Sequence, residues 1–237
     1  VALWGLVVVG AAVAETVTYQ VAASADDTYT TSSANYPTST TMVWPYRTDA
    51  RRAFVRWQVN IPKGSTIQSA YVKVCAGTST SNARTVQMQL LDYDSCPAFS
   101  SNPHSWSVTG STVDWSLGSW TAGTWYTSPD VKAIVQEFID RPGYAPGNYL
   151  GLRGIRQSGS TTTNVRTWDY SGNTYGAKLE ITYSSPNAPP VAEAGSDQLV
   201  HDANGDGSET VTLDGSGSSD SDGAIVSWVW KEGTSQI

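Results

Sequence analysis

Reactive side chains are scarce. The chain has two histidines, two cysteines and two methionines in 237 residues. One histidine, His104, precedes the tail that begins at Ala188, and neither a Gly-x-Ser-x-Gly elbow nor a His-Glu-x-x-His pair occurs. These absences argue against the common serine-hydrolase and zinc-protease chemistries. A concentrated basic face, which a phosphate-binding protein needs, is missing as well. Residues 15–187 carry 13 Lys and Arg against 12 Asp and Glu, while residues 188–237 carry one Lys against nine acids, so charges of +1 and −8 make up the −7 of the whole. Nucleic acid is therefore excluded as the expected partner, and the acidic tail is either solvated or holds cations.

Long apolar runs are also lacking. The opening stretch Val1 to Ala14, VALWGLVVVGAAVA, is 14 residues, short of the about 20 that a helical membrane span requires. It ends on the small-x-small triplet Ala12-Val13-Ala14 of a signal-peptidase site. Gly5, Gly10 and the alanines are poor strand formers. Residues 1–14 are expected to be part of an export signal lacking its Met and basic leader, which makes the protein secreted or cell-surface.

What is abundant is alternation. In Ala53-Phe54-Val55-Arg56-Trp57-Gln58-Val59 the residues Val55, Trp57 and Val59 share one face, and the same period recurs in 70–74, 86–90 and 179–183. Period-two runs separated by Gly, Ser, Thr and Pro clusters predict antiparallel sheets with a buried face, an all-β sandwich or jelly roll. One helix is predicted over Ser128 to Asp140, with Ser128 as cap, Pro129 in the first turn and Val131, Ile134, Val135, Phe138 and Ile139 at helical spacing. A hairpin is expected between 68–75 and 85–93 about Ser79 to Asn82. It would set Cys75 opposite a residue near 86, with Cys96 about ten residues and some 33 Å farther on if the strand stayed straight, so a Cys75–Cys96 disulfide requires the chain to turn back after Asp94. The pairing stays open.

Two family resemblances follow from quoted motifs. Asp26-Asp27-Thr28-Tyr29, Arg51-Arg52-Ala53-Phe54-Val55-Arg56-Trp57, Ile61-Pro62-Lys63-Gly64-Ser65-Thr66-Ile67, Thr127-Ser128-Pro129-Asp130, Arg141-Pro142-Gly143-Tyr144 and Ala177 to Tyr183 together resemble a DNRLRE domain over about residues 24–184. That family is related to alginate-binding carbohydrate-binding modules, and the resemblance implies a non-catalytic β-sandwich on an exported protein. Trp57 and the two cysteines depart from its pattern. Farther on, Ala188-Pro189-Pro190-Val191-Ala192, Val211 to Gly223 (VTLDGSGSSDSDG) and Ile225-Val226-Ser227-Trp228-Val229-Trp230 resemble the opening half of an immunoglobulin-like PKD domain. A complete immunoglobulin-type sandwich needs about 100 residues, so residues 191–237 are expected to be part of a longer module. The resulting division is 1–14 signal, 15–184 sandwich, 185–190 proline-stiffened linker and 191–237 spacer.

Sugar rings present apolar C–H faces to aromatic planes and hydroxyls to polar side chains. Among the aromatics between 44 and 126, Trp57 and Trp115 read as core, as does Trp168 farther on. Trp44, Tyr46, Trp120 and Trp125 lie beside turn residues and are the candidate stacking platforms. Arg47, Arg51 and Arg52 would supply bidentate donors to the carboxylates of an acidic polysaccharide. A glycosidase would need two carboxylates about 5–9 Å apart, and Asp26, Asp27, Asp49, Asp92 and Asp94 all sit where Asp caps its own backbone. The loop Asp202-Ala203-Asn204-Gly205-Asp206-Gly207 matches the first half of a calcium loop, with Leu213 where a bidentate Glu should close it. The PKD resemblance implies a further cation turn at Asp220 and Asp222, so calcium is the one cofactor to test. The expected function is a non-catalytic extracellular carbohydrate-binding or attachment module plus spacer from a larger secreted protein, with an extracellular polysaccharide or cell-surface glycan as partner. The alternatives are a structural stalk segment of a cell-surface adhesin, or the ancillary part of a polysaccharide-degrading enzyme whose catalytic domain lies outside these residues.

Overall fold

The computed structural model describes residues 4–44, 51–81, 83–159, 162–232 and 234–236. Fourteen strands and one helix are formed among them. The strands are β1 (Trp4–Ala12), β2 (Ala14–Gln20), β3 (Asp27–Thr30), β4 (Thr41–Val43), β5 (Arg52–Gln58), β6 (Thr66–Cys75), β7 (Arg84–Leu91), β8 (Val108–Leu117), β9 (Trp125–Thr127), β10 (Tyr149–Ser158), β11 (Asn164–Arg166), β12 (Lys178–Ser184), β13 (Gly223–Glu232) and β14 (Ser235–Gln236); the helix is α1 (Lys132–Asp140). The fold is all-β, as the alternation requires. The chain divides into two compact units, Ala14–Ser184 and a second made of Val1–Val13 with Ser185–Ile237.

In the larger unit a five-stranded sheet in the order β3-β5-β10-β7-β8 faces a four-stranded sheet in the order β2-β12-β6-β9, and every pairing is antiparallel. Val55, Trp57, Val86, Met88, Leu90, Leu150 and Leu152 of the first sheet pack against Val72, Val74, Leu179 and Ile181 of the second in one core. Burying each such side chain contributes about 1.5–3 kcal/mol. Trp57 meets the cost of burying its indole N–H by donating to the Ala177 carbonyl at 2.9 Å. The expected hairpin between 68–75 and 85–93 does not form. Strand β6 belongs to the four-stranded sheet and β7 to the five-stranded one, so the segment between them crosses from one layer to the other. Alternation identifies a strand and its buried face but not its partner.

The predicted helix is real but begins at Lys132. Ser128, read as the helix cap, serves the neighbouring sheet instead, and Asp130 serves that sheet too. The β6 backbone N–H groups of Val72, Ala70 and Ile67 donate to Ser128 Oγ (2.9 Å), Asp130 Oδ1 (3.0 Å) and Gln136 Oε1 (2.8 Å). Asp130 Oδ1 also accepts from Lys132 N at 2.8 Å, so it caps the helix start as well. The apolar face of α1, with Ile134, Val135, Phe138 and Ile139, enters the main core.

A second, smaller core lies on the outer face of the five-stranded sheet. The segment between β7 and β8 folds back over Phe54 and Leu91 and buries Cys96 and Phe99 against them, with Tyr93, Trp106 and Tyr149 packed around. The chain does turn back after Asp94, yet no disulfide results: Cys75 and Cys96 are both free and buried. Cys75 lies on the four-stranded sheet and Cys96 in the second core, with the five-stranded sheet between these settings. Burial pushes the Cys96 thiol up to about 12.

In the smaller unit β1 pairs antiparallel with β13 from Trp4 opposite Glu232 to Ala12 opposite Gly223, with a register shift at Val9 and Gly10. Trp4–Ala12, within the segment read as an export signal, are folded here as a strand. Against the local cost of Gly and Ala in a strand, β13 supplies a full ladder of backbone partners.

Candidate ligand-binding face of the sandwich

The outer face of the five-stranded sheet is polar where the second core does not cover it. Register fixes which side chains stand in a row. Thr28, Phe54, Arg153, Gln89 and Thr112 are successive cross-strand partners, and Ile155, Gln87 and Asp114 form the neighbouring row. Four of these side chains are joined. Arg153 donates from Nε (2.9 Å) and Nη2 (2.7 Å) to Gln89 Oε1, Gln89 Nε2 donates to Gln87 Oε1 (2.9 Å), and Gln87 Nε2 donates to Asp114 Oδ1 (3.0 Å). Planar groups held this way are pre-oriented for a polyhydroxylated ligand, because little side-chain entropy remains to be lost on binding.

Beside the two rows lies a cleft of about 310 Å³ lined by Arg51, Arg52, Ile155 and Arg156. Arg52 is anchored by donating to the His104 carbonyl, and Arg153 by donating to the Trp106 carbonyl at 3.2 Å. The concentration of positive charge is visible in its neighbours. Burial, followed by the charge of Arg52, lowers Arg153 to about 10. His104 is lowered by burial and then by Arg52 and Arg153.

The residues singled out from sequence are not gathered in one place. Arg51 lines the cleft, while Tyr46 and Arg47 lie outside the described residues. Trp44 and Trp120 are 0% and 3% exposed, so they are core residues and not stacking platforms. Trp44 packs flat on Gly154, where an added Cβ would sit 3.1 Å from the ring. Trp120 stacks on Tyr126 with ring centroids 4.7 Å apart and has the Arg84 guanidinium 5.0 Å from its own centroid. Turn residues flank both tryptophans, but distant segments cover them. Trp125 is half-buried on the four-stranded sheet under Lys178 Nζ, 4.7 Å from its centroid, and so belongs to the opposite layer from the cleft. Gln87, Gln89, Asp114, Arg153 and Arg156 were missed; the outward phase of Val86 to Leu90 marks the two glutamines.

The carboxylates have structural partners. Asp26 Oδ1 lies 2.6 Å from Arg56 Nε, with side-chain exposures of 4% and 12%. Asp92 and Asp94 both hold Arg141, at 2.9 and 2.7 Å. Asp27 is fully buried, and burial pushes its carboxyl up to about 8, opposed by a hydrogen bond from Trp168 N and reinforced by the charges of Asp169 and Asp26. Asp49 lies outside the described residues.

In the tail, Asp202 accepts backbone hydrogen bonds from Gly205 (2.6 Å) and Gly207 (2.8 Å), while Asp206 accepts from Ser208 N (2.9 Å) and Asn204 Nδ2 (2.8 Å). These bonds lower both carboxyls below their ordinary value. Asp222 accepts from Ala188 N at 3.0 and 3.1 Å, and Asp220 from Asp222 N at 3.3 Å. The oxygens of Asp202 and Asp206 are engaged in folding their own turn, whereas Asp222 ties down the distant Ala188 and Asp220 Oδ2 is buried without a hydrogen-bond partner. Among the described residues no group of three His, Cys, Asp or Glu converges as a metal site.

Fold and site together define a β-sandwich with an arginine-lined cleft on one sheet. No family model and no curated protein matches the chain.

Proposed function

We propose that the chain is a non-catalytic, extracellular attachment segment whose sandwich binds an acidic polysaccharide on the open half of the five-stranded sheet. The observations that support it are the cleft of Arg51, Arg52, Ile155 and Arg156 and the ordered Arg153–Gln89–Gln87–Asp114 row, to which Ile155 connects as the cross-strand partner of Gln87. Guanidinium groups match carboxylates as flat, two-pronged donors, and the amide row matches hydroxyls. Tail residues 191–237 act as a spacer in this reading. The DNRLRE and PKD resemblances agree with it. A purely structural stalk is the second reading, favoured by the burial of Trp44, Trp57, Trp115 and Trp120.

Affinity electrophoresis separates the two. Retardation in gels containing polyuronate but not neutral glucan, weakened by added salt and abolished in Arg51→Gln/Arg156→Gln, is the expected result. Equal mobility in all gels, or retardation untouched by the double substitution, refutes the binding reading and leaves the stalk.

A further inference from the structure

The loop at 167–176 closes over the start of β3 and leaves three buried oxygens without a donor. Asp27 is 0% exposed; its Oδ2 accepts from Trp168 N at 2.9 Å, but its Oδ1 has no partner. Asp169 Oδ1 accepts from Ser24 Oγ at 2.6 Å, and its Oδ2 is likewise buried and unpaired. Asn173 adopts a left-handed backbone, φ 72°, its N–H donates to the Trp168 carbonyl at 2.9 Å, and its Oδ1 is the third unpaired atom. That atom lies 3.0 Å from where a Gly176 Cβ would be, with Trp168 Cα 3.6 Å from the same point. All three residues therefore meet the backbone at Trp168 and Asp169: Asp27 and Asn173 through hydrogen bonds to Trp168, and Asp169 as its chain neighbour.

Three buried acceptors without donors are costly, about 1–3 kcal/mol each. One water has two protons and cannot satisfy all three, whereas one hard cation can take all three oxygens at once. We propose that Asp27 Oδ1, Asp169 Oδ2 and Asn173 Oδ1 form a structural calcium site that locks the 167–176 loop onto β3. Calcium suits it better than magnesium, because the oxygens come from an irregular loop and not from a tight octahedral cage. The site is separate from the polysaccharide cleft and from the acidic loop of the tail.

The test uses the full chain carrying Asp202→Asn and Asp206→Asn, which removes the tail loop as a competing binder. Calcium at about 100 times its Kd should raise the melting temperature over the chelator-treated sample by roughly 5–10 °C, and terbium should give luminescence sensitised by Trp168. Adding Asn173→Asp should tighten terbium binding severalfold and lower the melting temperature in chelator, since a third carboxylate helps only when a cation is present. Adding Asn173→Gly, which keeps the left-handed backbone allowed, should weaken terbium binding about tenfold. Equal melting temperatures in calcium and chelator overturn the proposal. So does an Asn173→Asp chain that binds terbium no more tightly than its parent.

Discussion

Gly151 is the third residue of β10, opposite Arg56 on β5, inside a strand that glycine normally weakens. Its reason is contact: a Cβ there would lie 2.5 Å from Cys96 Sγ, 2.9 Å from Cys96 Cβ and 2.9 Å from Leu91 Cδ1. Gly151→Ala should gain about 0.5–1 kcal/mol from backbone entropy and lose about 1–3 kcal/mol to overpacking. The second term wins because Cys96 cannot simply swing away. Its N–H donates to the Tyr149 carbonyl at 2.8 Å, and its carbonyl accepts from Arg56 Nη1 at 2.8 Å, so the segment is fixed at both peptide groups. A net loss of about 1–2 kcal/mol corresponds to roughly 3–8 °C in melting temperature for a unit of this size. Circular-dichroism melts of Gly151→Ala, Cys96→Ala and the double variant read it directly. The double variant should be more stable than the sum of the single losses by at least about 0.5 kcal/mol. A Gly151→Ala protein as stable as its parent, or strictly additive losses, would refute the account of the second core.

Four further outcomes are expected. Arg56→Met strands Asp26 as an uncompensated buried charge and should cost about 3–5 kcal/mol, whereas Arg141→Met, facing the half-exposed Asp92 and Asp94, should cost about 0–1 kcal/mol; comparable urea midpoints for the two variants would contradict this. Both thiols should resist Ellman's reagent in the folded chain and react in denaturant with a count of two. Because Cys96 is raised from 9.0 to about 12 when folded, its neutral form is favoured there, so its contribution is intact below about 9 and fades as pH rises toward 12; urea midpoints should fall over that window, and less so in Cys96→Ala. Ser128→Ala leaves the Val72 N–H without its 2.9 Å acceptor and should destabilise by about 1–3 kcal/mol, an outcome that a thermal melt indistinguishable from wild type would exclude.

The layers of this fold were legible because each strand states its own buried face: Val55-x-Trp57-x-Val59 points inward as its phase requires. Pairing was not legible, since nothing local tells β6 that its neighbours are β12 and β9 and not β7. The same distinction governs the site. Arg51 and Arg52 could be read as donors for an acidic ligand, but the groups beside them, Ile155, Arg156 and the Arg153–Gln89–Gln87 row, come from strands far along the chain. Trp44 and Trp120 misled for a converse reason. Gly, Ser and Thr around a tryptophan describe how the chain bends there, while its exposure is decided by what packs over it: Gly154 for one, Tyr126 and Arg84 for the other.

Oxygens from Ser128, Asp130 and Gln136 occupy the donors that β6 would otherwise offer along one border of its layer. Those positions cannot template a foreign polypeptide. Copies displayed close together would therefore have no docking rail on that flank, and crowding should not drive them to fuse there into fibres.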